Sequence, residues 1–455
     1  MMRLSQAAQI LGGRLLGADA EFIGVSTDSR GVARGQLFVA LRGERFDGHA
    51  FLAAAAKAGA SAALVDAAFD ASGAPLPLIV VEDTRRALGA LAAAWRAGFD
   101  PVLIAVAGSN GKTTTKEMLA SILRAAAGET QVLATEGNMN NDIGLPLTLL
   151  RMRAGHRYCA IEVGMNHRGE IAQLARLAAP GIALVTNAQR EHLEFMGSVE
   201  EVAEENADVF RALRADGVAV INGDDAHADA FRRAADGRRI VEFALEHGAA
   251  VSGRYTLRHL SSEIVLKCPA GEAQAVLAIP GLHNVRNALA AAACAYAAGL
   301  APEAIGAGLT AFRPYAGRLQ VKRATGGATV IDDTYNANPD SVRAAIDVLA
   351  AAHGATLLVL GDMGEVGDQG PDFHAEVGRY ARERGVGALL ALGESTAHSV
   401  AGYGEGARHY ASVEDLIDAL RRALDPGATV LVKGSRFMRM ERVVGALTGD
   451  SAEVH

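Results

Sequence analysis

At 455 residues the chain is too long for one ordinary core, and about three domains are expected. Half of it is apolar and only 5% aromatic, so the cores must be built from Ala, Val and Leu. A formal net charge of −8 argues against nucleic acid as a main partner, although local loops and arginines can still bind anionic small ligands. Cys159, Cys268 and Cys294 are few, odd in number and widely spaced, which suits a reducing cytosol without a disulfide frame.

The first residues, MMRLSQAAQILGGRLLGADAEF, contain no long apolar run and meet Asp19 and Glu21 early, so a signal peptide is not expected. The most apolar stretch, 288–300, is Ala-rich and too short to span a bilayer. A cytoplasmic monomer without membrane insertion is the expectation. Residues 1–97 read as a small α/β unit with strands near 36–41, 62–65 and 78–81 and an Ala-rich helix ending near Trp95. Two loops in it are densely polar. One holds Ser26, Thr27, Asp28, Ser29 and Arg30, and the other is GERFDGH at 43–49. At face value both are polar turns, yet a uridine diphosphate would need such donors. Asp100 before Pro101 marks a boundary, since proline disfavours helix at the residue before it.

The second block, 98–313, opens with the most informative segment of the chain. The apolar β-branched run 102–106 predicts a buried strand, which breaks into a turn holding Gly108, Ser109, Asn110 and Gly111 and continues as a helix from Lys112, Thr113 and Thr114. Backbone N–H groups in such a turn, with the helix N-terminus, cradle phosphate oxygens. Lys112 would reach the β/γ-phosphates and the Thr113 hydroxyl would sit on Mg²⁺. Val106 stands where the usual phosphate loop has its first glycine, so the loop is a compressed G-x-x-G-K-T. Strands are expected near 158–163, 182–186 and 217–221, with a more β-rich charged passage at 240–280 and a long helix from about Val285. Glu162 ends one of these strands, where a carboxylate would face the crevice as a Mg²⁺ ligand or else be a solvated strand end. His192 lies just past another, open to a metal, a γ-phosphate or a structural role. Asn284 and Asn287 open the Ala-rich helix; Asn284 would cap it or, like Asn287, pair with an adenine edge.

The last block, 314–455, repeats the alternation, with strands near 328–331, 356–360, 388–392 and 429–432 and helices near 340–352, 373–384, 413–424 and 436–447. Such βαβα order implies doubly wound sheets with ligands at the carboxyl ends of strands. Arg318 would stabilise charge on a transferring phosphoryl group or be a surface arginine. Asp332 and Asp333 at a strand end suit ribose hydroxyls or a metal; Asn336 follows, and Asn338 before Pro339 starts a helix. Lys433, Ser435 and Arg436 after the last strand bring cations and a hydroxyl fit for a phosphate or carboxylate.

With those residues in hand, nearly the whole chain resembles the Mur ligase family. The resemblance rests on GSNGKTTTKEM at 108–118, GNMNNDIGLP at 137–146, Glu162, His192, HNVRN at 283–287, GRL at 317–319, DTYNANP at 333–339, GDMGE at 361–365 and KGSR at 433–436. The phosphate loop alone would place it only among Mur ligases and folylpolyglutamate synthetases. Residues 26–30, the run 37–49 and the YNANP element point to members that add D-alanyl-D-alanine, and the DNPR element of the diaminopimelate-adding members is absent. The resemblance implies three α/β domains: a small N-terminal substrate-binding domain, a central P-loop doubly wound ATPase domain and a C-terminal Rossmann-like domain. It implies an ATP- and Mg²⁺-dependent ligase of cytoplasmic peptidoglycan precursor synthesis, and so a part in cell-wall biogenesis, cell shape and division. The carboxylate of a UDP-N-acetylmuramoyl-tripeptide becomes an acyl phosphate and D-alanyl-D-alanine attacks it.

By the same resemblance Lys112, Glu162, His192 and Arg318 are catalytic, with Thr113, Glu162 and His192 on metal. Asn284, Asn287, Arg318 and Asp333 hold the nucleotide; residues 26–30 hold the UDP group; Asn140 and Asn141 sit near the substrate carboxylate, and Asn336, Asn338, Lys433, Ser435 and Arg436 join the substrate set. Many members carry, on the helix after the histidine loop, a lysine modified to a carbamate that ligates a second Mg²⁺. Asn206 stands there, so no carbamate is expected, and the second ligand is left among Asn206, Glu205 and water. A sister ligase, or from another class a P-loop phosphotransferase, is the alternative.

Overall fold

The computed structural model describes residues 1–43 and 46–450. Glu44 and Arg45 of the polar loop at 43–49, and residues 451–455 of the last block, lie outside the described residues.

Strand Val102–Ala107 has every residue but the first buried, as a strand covered on both faces requires. It lies inside a six-stranded, wholly parallel sheet in the order Arg239–Phe243, Val218–Asn222, Ile182–Val185, Val102–Ala107, Tyr158–Glu162, Val132–Ala134. Connections leave Val102–Ala107 in opposite directions on its two sides, so its carboxyl end opens into a crevice. Helix Lys112–Ala127 packs back onto this sheet through Met118, Leu119, Ile122 and Leu123, all fully buried. Each such side chain contributes about 1.5–3 kcal/mol, so the loop before the helix is held at both ends. The β-rich passage forms a separate antiparallel sheet of Ser252–Leu257, Ser262–Cys268 and Gly271–Leu277.

The N-terminal sheet runs Arg14–Leu16, Leu78–Val81, Ala62–Asp66, Gln36–Val39, Gly24–Ser26, parallel except for the first pair. Helix Thr84–Arg96 joins it to the central unit, its Leu88 and Leu91 sharing a core with Leu145 and Leu149 of helix Gly144–Leu150. The C-terminal sheet runs Gln320–Arg323, Thr329–Asp333, Thr429–Lys433, Thr356–Gly361, Ala388–Leu392, Ala407–Tyr410, with only the first strand antiparallel. Thr429–Lys433 lies between its neighbours, which puts Asp333, Lys433 and residues 361–365 at one set of strand ends.

Two expectations need correction. The helix placed at 436–447 begins only at Glu441, because Arg436–Met438 makes a single 3₁₀ turn and Arg439 takes φ +51°, which no helix accommodates. Asn284 does not cap its helix. Gly281 holds that position, and Asn284 sits within the first turn of Leu282–Ala297, donating Nδ2–H to the Pro280 carbonyl at 2.7 Å. Among the described residues no helix is long and apolar enough to cross a membrane.

Candidate active site

The turn after Val102–Ala107 is built for close approach. Gly108 has φ +122° and Gly111 φ +81°. A Cβ would fall 2.2 Å from Thr186 Oγ1 at the first and 2.3 Å from Asn287 Oδ1 at the second, so both must be glycine. The turn is tied to its neighbours on several sides. Gly108 N–H donates to Asn206 Oδ1 (2.8 Å), Asn110 N–H to Asn187 Oδ1 (2.9 Å), and Thr186 Oγ1 to the Asn110 carbonyl (2.8 Å). The Lys112 ammonium spends all three of its donors locally. It donates to the carbonyls of Gly108 (2.6 Å) and Ser109 (3.1 Å) and to Glu191 Oε1 (2.9 Å).

Glu162 ends its strand 2% exposed. Its Oε1 accepts from Thr113 Oγ1 (3.2 Å) and Asn140 Nδ2 (2.8 Å), while Oε2 is buried without a partner. A buried carboxylate oxygen left bare beside a threonine hydroxyl suits a hard, oxygen-seeking divalent cation. Its position is fixed from behind. Glu162 N–H donates to Thr135 Oγ1 (2.9 Å), and the Thr135 carbonyl accepts from the fully buried Lys116 Nζ (2.6 Å), which also pairs with Glu117.

One cavity of about 440 Å³ runs from Asn110 and Gly111 past Thr114 to Asn284, Asn287 and Arg318. Asn287 Nδ2 donates to Asn284 Oδ1 (3.1 Å). His283, also on its wall, is partly buried, and desolvation drops its pKa to about 4, so its ring is neutral near pH 7. A larger cleft of about 980 Å³ opens from the same loop past Asn140, Glu162 and His192 to the C-terminal strand ends.

Those strand ends meet the phosphate loop directly. Arg318 Nη2 donates to Thr113 Oγ1 (3.4 Å), its guanidinium 3.9 Å from the centre of the Tyr335 ring. Asn338 accepts from Ser341 N–H (2.8 Å), as a helix cap should, and donates Nδ2–H to Asn110 Oδ1 (2.9 Å). Lys433 Nζ donates to Asp333 Oδ2 (2.6 Å) and the Asn336 carbonyl (2.9 Å), and its burial lowers the ammonium's pKa against the pull of Asp333. Ser435 Oγ donates to the Ala337 carbonyl (3.2 Å), and Arg436 is 3.3 Å from Glu441.

Between the two units runs the segment 187–192, whose contacts alternate from Gln189 onward. Asn187 and Gln189 bond Asn110, and Glu191 holds Lys112. Arg190 grips Asp340 and Glu376 of the C-terminal unit, and His192 Nδ1 lies 2.6 Å from Glu365.

Other expected residues stand elsewhere. Residues 26–30 form their own turn in the N-terminal unit, with Asp28 paired to Arg30 at 2.8 Å, Ser26 Oγ accepting from Asp28 N–H at 3.2 Å, and Thr27 and Ser29 half-buried. None of them lines either cavity. Asn141 accepts from Gly144 N–H (2.9 Å) at the start of helix Gly144–Leu150 and also lines the larger cleft. Of the residues left open as second-metal ligands, Asn206 Oδ1 is engaged by Gly108. Glu205 accepts from Gly169 and Ile171 N–H groups at 2.8 and 2.9 Å, binding it to the start of helix Glu170–Ala178.

Similarity to known proteins spans this whole framework. Profiles described as Mur ligase family, catalytic domain; Mur ligase middle domain; and Mur ligase, glutamate ligase domain match residues 21–96, 106–295 and 317–436. The UDP-N-acetylmuramoyl-tripeptide–D-alanyl-D-alanine ligase of Escherichia coli (strain K12) is 40% identical over 449 residues, 98% of each chain. The chain belongs to the Mur ligase family. The enzyme of the same name from Bacillus subtilis (strain 168) is 35% identical over 92% of each chain. Among solved structures, MurF from Acinetobacter baumannii superposes with a TM-score of 0.89 at 34% identity, covering 98% of both chains. MurF from Thermotoga maritima in complex with ADP gives 0.82 at 26% identity, covering 94% of this chain and 97% of that one.

In this Mur ligase several side chains that shape the site are not evident from the sequence pattern. Asn187, Gln189, Arg190 and Glu191 stand in the same segment as His192, and five hydrogen-bonding side chains among the six residues 187–192 after a buried strand are the signal available. Tyr335, stacked on Arg318, and Thr135, behind Glu162, carried no such mark in the chain.

Proposed function

We infer that this chain joins D-alanyl-D-alanine to UDP-N-acetylmuramoyl-tripeptide, driven by ATP, in peptidoglycan precursor synthesis. The observation that carries it is the meeting of two units at one hydroxyl. Thr113 of the phosphate loop bonds Glu162 of its own unit and Arg318 of the next. A triphosphate on the loop would lie between them, with Asn284, Asn287 and Asp333 around the nucleotide. Mg²⁺ would be held by the Thr113 hydroxyl and the bare oxygen of Glu162, with His192 as a further ligand, and would neutralise phosphate charge.

A carboxylate is a poor electrophile until one oxygen becomes a leaving group. The terminal carboxylate of the tripeptide attacks the γ-phosphorus and the bond to ADP breaks. The dipeptide amine then attacks the acyl carbon, loses a proton, and phosphate departs. The protein's share is positioning and charge neutralisation. Lys112 and Arg318 face the phosphoryl group from two domains. Asn140 and Asn141 face the substrate carboxylate, residues 26–30 hold the UDP group, and Asn336, Asn338, Lys433, Ser435 and Arg436 hold the peptide end. We propose working boundaries at 97/98 and 313/314; the three family matches each fall inside one of these units.

A phosphate-release assay tests this. Turnover should require ATP, Mg²⁺, the UDP-tripeptide and D-alanyl-D-alanine together, and Lys112→Ala should lower it by at least about 100-fold. Phosphate moved to a hydroxyl, or equal stimulation by a single amino acid, would overturn the assignment.

A further inference from the structure

The loop at 361–365, GDMGE, has no task in the reaction above, yet it is anchored along its length at the C-terminal strand ends. Asp362 Oδ1 accepts from Thr396 N–H (2.8 Å) and its carbonyl from Ser435 N–H (2.9 Å). Met363 N–H donates to Nε2 of the buried His374 (3.0 Å), and Gly364 N–H to Ser435 Oγ (2.7 Å). This platform ends in Glu365, which has φ +60° and accepts Glu194 N–H of the central unit on its carbonyl (3.3 Å). Opposite it stands His192 at φ +51°. Two non-glycine residues in the left-handed region, facing each other across a domain boundary, mark a place where side-chain direction matters.

The side chains complete a line between the units. Glu365 Oε2 lies 2.6 Å from His192 Nδ1, at an angle outside that of a well-formed hydrogen bond, a geometry that commonly tightens when substrate arrives. On the other side of the ring, His192 Nε2 is 3.6 Å from Glu191 Oε1, and that oxygen accepts from Lys112 Nζ at 2.9 Å. The imidazole therefore has a C-terminal carboxylate at one nitrogen and the phosphate-loop lysine's partner near the other.

We propose that Glu365 is a positioning residue for His192. It keeps the proton on Nδ1 and turns the Nε2 lone pair toward the phosphate loop, and it does so only while the C-terminal unit is packed against the central one. A histidine held this way offers Nε2 as ligand or acceptor. The histidine's competence is thereby linked to domain packing. This rests on the reading of His192 as a residue that serves the bound phosphates.

The test uses the full chain with ¹⁵N-labelled histidine and three proteins: wild type, Glu365→Gln and Glu365→Ala. The His192 signals are assigned by their loss in His192→Asn. In the wild type the ¹⁵N shifts should report the Nδ1–H tautomer, and in Glu365→Ala the Nε2–H form should gain. With ATP, Mg²⁺, the UDP-tripeptide and D-alanyl-D-alanine, kcat of Glu365→Ala should fall about 10- to 100-fold while KM for ATP moves less than about twofold. Glu365→Gln keeps an oxygen acceptor and should recover kcat to within about fivefold of wild type. Wild-type kcat in Glu365→Ala, or a lost kcat with an unchanged tautomer, overturns the proposal. If the wild type itself forms no amide, the proposed function fails, and the tautomer comparison still decides for or against Glu365.

Discussion

Arg190→Ala separates packing of the C-terminal unit from the integrity of either unit. The guanidinium sits 22% exposed over the Phe373 ring and makes two forks. Nε and Nη2 go to Asp340 at 3.1 and 2.6 Å, and Nη1 and Nη2 go to Glu376 at 2.8 and 3.1 Å. Truncation removes both, but neither carboxylate is stranded. Asp340 keeps the Arg190 backbone N–H at 3.0 Å, and Glu376 keeps Arg343 at 2.8 Å. The penalty for an unpaired buried charge therefore does not arise. What is lost is two partly exposed, charge-assisted forks, about 1–1.5 kcal/mol each, or about 2–3 kcal/mol in all. Because every partner lies across the boundary, that loss falls on the packing equilibrium and shifts it by about 30- to 150-fold. Small-angle scattering should show a larger radius of gyration for the variant. A double-mutant cycle with Asp340→Ala in kcat/KM for D-alanyl-D-alanine should give a coupling of at least about 1 kcal/mol. An unchanged radius together with coupling below about 0.3 kcal/mol would refute the argument, since additive effects of that size mean the two residues act independently.

Further outcomes follow from the same geometry. Gly111→Ala places a methyl against Asn287 Oδ1 at a backbone of φ +81°; nucleotide affinity measured by calorimetry should fall at least tenfold, about 1.4 kcal/mol. The Glu376 carboxyl lies below its ordinary 4.5, chiefly through side-chain hydrogen bonds from Arg190. A lowered folded pKa means stabilisation that is complete above 4.5 and lost as the pH falls through the lowered value. The Tm difference between wild type and Arg190→Ala should thus be flat from about pH 8 to 5.5 and shrink below about pH 4.5. With Asn206 bound to Gly108 and Val202 and no lysine at that position, mass spectrometry of gently handled protein should find no carbamate on helix Val199–Arg211. A mass increase on that helix would contradict it.

What could be seen in the chain beforehand was whatever its neighbours in sequence determine. The strand, glycines and helix start at 102–116 signal one another within fifteen residues, and Asn338 before Pro339 announces its own cap. The parallel strands of both large sheets are apolar runs because both faces are covered. The edge strand Gln320–Arg323 escaped notice because QVKR is polar and pairs on one side only. Helix Glu441–Thr448 was placed too early because the left-handed turn at Arg439 leaves no mark in an arginine. In the site, the types of residue were visible and their pairings were not. Asn206 meets Gly108 across 98 residues, Arg190 meets Asp340 across 150, and Arg318 meets Thr113 across 205, so only the folded chain decides which amide or carboxylate is already taken.

The alternation along 189–192 has a consequence for how this stretch tolerates change. Connections between strands and helices usually absorb an added or missing residue, because nothing depends on which way a given position faces. Here one insertion would exchange the two sets of neighbours, turning Gln189 and Glu191 outward and aiming Arg190 at Lys112, cation against cation. Although irregular in backbone, the segment is as intolerant of a shift in register as a strand with one face in the core.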